Sequence, residues 1–165
     1  MALPSVPICD PSSQNVQAFL KLLRWCENYP NDGASTYLTM YGGKVFTYTS
    51  QHPNVANTKW GKTSTAAGAY MFLYTTWKEA KDKGIVDDFT PAAQDKLAWW
   101  KIGQRRAQAQ VCGGRNTLEN AIKLLRLEWA SLPGASQNQI SLQSAKNQYE
   151  KYLLEFSPVK QAGKP

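Results

Sequence analysis

The stretch RWCENYPNDG, residues 24–33, holds the carboxylate best placed to do chemistry, Glu27, between a helix-like apolar run and a turn. Val16, Phe19, Leu20 and Leu23 follow the i, i+3, i+4, i+7 spacing of one helix face, and at about 100° per residue Glu27 projects from the middle of that stripe. An acid sits badly there. The last turn of a helix disfavours an anion by roughly 0.3–1 kcal/mol, and burial disfavours it further. Both effects favour the protonated form, which is what a general acid requires. The pattern leaves one alternative open: a glutamate that bends out to solvent at a fraying end, or one neutralised by a basic partner.

Acid-catalysed cleavage of a glycosidic bond also needs something to deal with the sugar cation, commonly a second carboxylate. Asp32, in the loop after Glu27, is the nearest candidate and Asp10 a more distant one, although an Asp before Gly usually makes a turn. The three cysteines, Cys9, Cys26 and Cys112, and the single histidine, His52, offer no zinc-ligand spacing. A nucleophilic Cys26–His52 pair has nothing in the sequence to bring it together. Cys26 reads as a buried, inert thiol and His52, before Pro53, as a turn residue. No metal or cofactor is expected.

Positioning Glu27 requires a helix that starts at Val16 and ends near 27–29, because Pro30 biases Tyr29 away from helical backbone. Residues 36–50, TYLTMYGGKVFTYTS, read as a β-hairpin about Gly42-Gly43, with Tyr37, Tyr41 and Tyr48 as packing residues or a sugar-stacking wall. Residues 50–63 read as a polar loop. A second helix is expected over 64–81, capped by Ser64 or Thr65 and burying Ala66, Tyr70, Leu73 and Trp77. Gly68 inside it would cost roughly 1 kcal/mol against Ala, which a close approach by a ligand or another backbone would explain. A third helix begins with Thr90 as cap and Pro91 in the first position. A fourth covers about 117–131 on Leu118, Ile122, Leu125 and Trp129, and the last about 138–156. With an irregular arm over 1–15, one domain over 16–157 and a loose tail over 158–165, the expected fold is α+β, mostly helical, with a small hairpin.

Composition narrows the class. At 165 residues the chain fits one domain that can bury roughly 70% of its unfolded surface without disulfides or metals. Hydrophobic residues make up 42%, and no apolar run approaches the roughly 18 residues of a membrane span. The opening MALPSVPICDPSSQ has neither a basic region nor an apolar core and does not read as a secretory signal. A net charge of +7 favours encounter with polyanions, whether nucleic acid, anionic glycans or bacterial envelopes. No nucleic-acid motif is present, and a noncatalytic basic binding module is the reading from a different class.

The segments AFLKLLRWCEN, MYGGKVFTY followed by HP, STAAGAYMFL, FTPAAQDKLA and WASLPGA occur in the order found in the phage lambda endolysin family, which the chain resembles over about residues 16–136. That resemblance implies a lysozyme-like domain with its hairpin beside an active-site cleft. It implies cleavage of peptidoglycan between N-acetylmuramic acid and N-acetylglucosamine by lytic transglycosylation to 1,6-anhydromuramic acid, with hydrolysis by a muramidase as the alternative. Glu27 matches the family's catalytic glutamate. Ser64, Gly68 and Tyr70 fall in its cleft-lining stretch, with Tyr41 on the hairpin wall. Met71 stands where members commonly have Gln, and Ala69 where an Arg occurs. For PAAQDKLA and WASLPGA, the packing of Trp129 included, a structural role is the expectation. The resemblance further implies a cofactor-free monomer whose partner is the peptidoglycan glycan strand, not nucleic acid or a membrane. Such a protein waits in the host cytoplasm until a holin admits it to the cell wall.

Overall fold

Nearly all of the side chains after Gln17 in the first helix are withdrawn from solvent, so this element is a core helix and not a half-buried surface one. In the computed structural model, which describes residues 8–135 and 139–159, helix α1 spans Gln14–Glu27 and buries Val16, Ala18, Phe19, Leu20, Leu22, Leu23, Arg24, Trp25 and Cys26. The apolar stripe read from sequence is part of a much wider buried surface. Burial all round is the mark of a helix enclosed by others.

The chain divides into two compact units, Met1–Cys26 with Ile102–Pro165, and Glu27–Lys101. In the first, α1 is followed by α4 (Gln108–Cys112), α5 (Leu118–Leu125) and α6 (Leu142–Glu155). Ser141 caps α6 by accepting from the Ser144 N–H at 3.0 Å. Lys21 on α1 pairs with Glu155 on α6 at 2.7 Å, and Gln14 donates to Leu153 O at 2.6 Å. Cys9, in the segment expected to be an irregular arm, forms a disulfide with Cys112 at the end of α4. Helix α5 is shorter than the expected 117–131. Its apolar repeat continues because a tight turn, with Glu128 N and Trp129 N both bonded to Leu125 O, carries Trp129 inward while Leu127 is 81% exposed. The start of the last helix expected at 138 falls partly on 136–138, outside the described residues; the tail beyond 159 is likewise outside them.

The second unit departs further from expectation. Residues 36–50 do not form a hairpin of two strands. Ala34–Leu38 is a 3-10 turn in which Thr36 Oγ1 donates to Gly33 O and Thr39 Oγ1 to Ser35 O, and such local bonds compete with strand pairing. About Gly42-Gly43 the pairing is short: the antiparallel Thr39–Val45 bridge, with Met40 N bonded to Lys44 O at 2.6 Å and Phe46 N to Leu38 O at 2.9 Å. The antiparallel hairpin instead lies in the segment read as a polar loop, with β1 (Asn57–Lys59) paired to β2 (Lys62–Ser64). The helix expected over 64–81 begins only at Tyr74, as α2 (Tyr74–Asp82). Residues 67–72 close on themselves through reciprocal Ala67–Phe72 bonds at 3.0 Å, which no helix allows. Thr65 does cap, but from nine residues away, its hydroxyl accepting from Tyr74 N at 3.1 Å. Helix α3 (Pro91–Gln104) begins where expected, with Thr90 Oγ1 accepting from Ala93 N.

Candidate active site

Glu27 is the last residue of α1 and is half-buried. Asn28 follows it at once and donates from Nδ2 to Ala69 O at 2.8 Å. The helix end that bears the acid is therefore tied to the 65–73 loop, where Gly68, Ala69, Tyr70 and Met71 lie. Asn31 makes the turn after it, accepting from Gly33 N and donating to Ser35. Asp32 is half-exposed. Asp10, the other candidate acid, accepts from both the N–H and the hydroxyl of Ser12, and these bonds hold its carboxyl below the usual carboxylate range.

The loop owes its shape to buried polar partners on α3. Gln94, fully buried, accepts from Ala69 N at 2.8 Å and donates to Tyr37 O and Phe89 O. Gly68 has φ +81°, and a Cβ there would lie 2.3 Å from Gln94 Oε1 and 2.9 Å from the Phe89 ring. The close approach inferred from this glycine is real, but the approaching group is a core amide and not a ligand or a backbone. Tyr70 is 1% exposed and donates its hydroxyl to Asp95, which also accepts from Tyr37 at 2.8 Å. Tyr70 and Gly68 thus shape the loop from within. Met71, half-exposed, takes a positive φ of 49° and closes the turn through its N–H to Gly68 O.

Tyr41 and Ser64 sit on the outer side of the same framework. Tyr41 N donates to Ala66 O at 2.8 Å, and its hydroxyl donates to Lys59 O at 2.9 Å, fastening the Gly42-Gly43 turn to the β1–β2 hairpin. Ser64 ends β2 and accepts from Ala66 N at 3.1 Å, so it caps no helix. Tyr41, Ser64 and Met71 keep partial exposure, as does Glu27. His52 is 1% exposed: Asn54 N donates to Nδ1, so Nε2 carries the proton and donates to Phe72 O at 2.8 Å. Burial pushes its pKa below the ordinary value, and it is a neutral core residue.

Gln94 and Asp95 position this loop, and sequence reading passed over them individually. The signal was present, since Gln94 shares a helix face with the fully buried Leu97 and Ala98. A polar residue on an apolar face was the same argument that drew attention to Glu27.

A half-buried acid ending a core helix, fastened to a glycine-turned loop beside a short hairpin, belongs to an α+β lysozyme-like fold, and the chain belongs to the endolysin family, which it matches over residues 17–161. The endolysin of Escherichia phage P2 is 38% identical over 141 residues, covering 76% of this chain and 84% of its own. That of Escherichia phage lambda is 35% identical over 128 residues, covering 74% and 80%. Among solved structures, bacteriophage lambda lysozyme complexed with a chitohexasaccharide superposes with a TM-score of 0.75 at 31% identity, over 85% of this chain and 94% of the other. A second structure of lysozyme from bacteriophage lambda gives 0.68 at 26% identity, over 92% and 95%. The protein is an enzyme of lysozyme type, as the sequence resemblance implied.

Proposed function

We propose that the protein cleaves the glycan strands of bacterial peptidoglycan between N-acetylmuramic acid and N-acetylglucosamine as a lytic transglycosylase, with Glu27 as its catalytic residue. The observation that carries this reading is the placement of Glu27: an acid ending a helix that is otherwise core, half-buried, its successor pinned to the Gly68–Met71 loop. The relative whose structure holds a chitohexasaccharide supports a glycan as ligand.

In the first step the Glu27 carboxylic acid gives its proton to the glycosidic oxygen as the C1–O bond breaks, and the carboxylate left behind faces a sugar with oxocarbenium character. In the second, the C6 hydroxyl of the same sugar attacks C1 and loses its proton to that carboxylate. The ring closes to the 1,6-anhydro product, the acid is regenerated and no water is consumed. One carboxyl group serves both steps, so the cycle needs nothing further from Asp10 or Asp32. Tyr41, Ser64 and Met71 would line the bound strand, while Gly68 and Tyr70 would hold the lining in place. We further propose that the monomeric chain stays in the host cytoplasm and reaches the wall through a holin lesion.

Glu27→Gln tests the assignment. The amide keeps the shape of the side chain but cannot supply the proton, so lysis of peptidoglycan should fall by about three orders of magnitude or more with an unchanged circular dichroism spectrum. Retention of a tenth of the wild-type rate would remove Glu27 from the mechanism.

A further inference from the structure

The tip of the β1–β2 hairpin combines two features that each disfavour it in the free protein. Trp60 and Gly61 both have positive φ, +53° and +73°, the backbone pattern of a type I′ turn. Gly suits such a position and Asn is the usual partner before it, whereas a bulky Trp with positive φ is an outlier. Lys59 and Lys62 face each other directly across the hairpin, and like charges opposite one another are also unfavourable. The indole is 78% exposed, so no core contact offsets its backbone conformation. What holds the tip is modest: Lys59 Nζ lies 4.5 Å from the Trp60 ring centroid and 3.2 Å from Gly42 O, and Tyr41 meets the indole edge-on at 6.0 Å.

We infer that this tip is a recognition site for peptide-substituted glycan. The Trp60 indole stacks on the apolar face of a sugar ring, and Lys59 and Lys62 take the carboxylates of the stem peptide attached to the strand. An anionic, flat-faced ligand screens the two ammonium groups and packs on the exposed ring, supplying the contact that the tip lacks in the free protein. The tip also adjoins the candidate active site, since Tyr41 bonds Lys59 O by its hydroxyl and Ala66 O by its N–H, at the loop to which Asn28 is fastened. Strain kept at a position without packing is a sign of function. The inference rests on the peptidoglycan reading above and adds to it a preference for strands that still carry their peptides over bare ones.

The test compares purified peptidoglycan strands with and without stem peptides, using wild type, Trp60→Asn, Trp60→Phe and Lys62→Thr. Asn before Gly suits the turn, so Trp60→Asn should fold at least as stably as wild type. Its KM for peptide-bearing strands should rise about tenfold with kcat unchanged, and Trp60→Phe should restore most of the loss. Lys62→Thr should raise KM about threefold for peptide-bearing strands at low salt and leave bare strands unaffected. Equal KM values for all variants, on a wild type that cleaves the strands, would overturn the recognition site alone. Failure of wild type to bind or cleave either strand would overturn the underlying reading instead. Intrinsic fluorescence with phosphatidylglycerol vesicles gives the competing result: a Trp60-dependent shift there, with strand KM unmoved by Trp60→Asn, would assign the tip to a membrane surface and sink the proposal.

Discussion

His52 is enclosed by the rings of Tyr74, Trp77 and Phe89, with centroids 5.7, 6.2 and 4.8 Å away, so protonation would place a cation where water does not reach it. Its folded pKa is therefore lowered from 6.5, mainly by burial, with the bond to Phe72 O opposing. The unfolded state then binds more protons below 6.5. The His52 contribution is fully present above that pH and is lost as pH falls from there toward the lowered folded value, at up to about 1.4 kcal/mol per pH unit. Thermal unfolding of wild type and His52→Gln between roughly pH 7 and pH 5 checks this: the wild-type advantage should shrink as the solution is acidified, and a constant gap would contradict it. At this scale the sequence was partly legible. The helix-end, half-buried place of Glu27 was legible because an acid on an apolar stripe is anomalous, and the crowding at Gly68 because a glycine among helix formers is anomalous. The partners that explain Gly68, Gln94 and Phe89, lie on a distant segment, and only the folded chain brings them to it.

Elements that rest on their own periodicity were predicted well, and elements that rest on partners were not. Helices α1 and α6 carry long apolar repeats and α3 opens on the Thr90 cap and Pro91, and tertiary contacts merely reinforce such local signals. The 64–73 segment has helical spacing too, yet the Ala67–Phe72 pairing and the bond from Gly68 N to Thr39 O override it. The β1–β2 hairpin was missed because its three-residue strands are polar and its turn is Trp-Gly where Asn-Gly would have been the signal. The disulfide was not legible either, since odd cysteines far apart in sequence carry no pairing information. Cys9 and Cys112 are separated by 103 residues, and closing a loop of that length restricts the unfolded chain strongly. Reduction, or Cys9→Ser, should lower stability by roughly 2–4 kcal/mol. Denaturant unfolding with and without a thiol reductant checks it: wild type should shift and Cys9→Ser should not, and an unshifted wild type would contradict the link.

At the scale of the whole molecule, a charge of +7 favours encounter with a polyanionic wall, and in the proposed mechanism the chemistry depends on what reaches C1 after Glu27 gives up its proton. Family membership fixes a lysozyme-type endolysin, and both chemistries of such an enzyme begin with the same proton transfer. They part at the second step, where either the sugar's own C6 hydroxyl or a water molecule closes the reaction. The most direct measurement is therefore digestion of purified peptidoglycan in water enriched in heavy oxygen, with the fragments weighed by mass spectrometry. The account predicts ends lighter than a reducing end by one water and free of the heavy isotope, all of them lost in Glu27→Gln. Reducing ends that carry one heavy oxygen would contradict it and make the protein a hydrolase, with Asp32 the first residue to test as the group that activates the water.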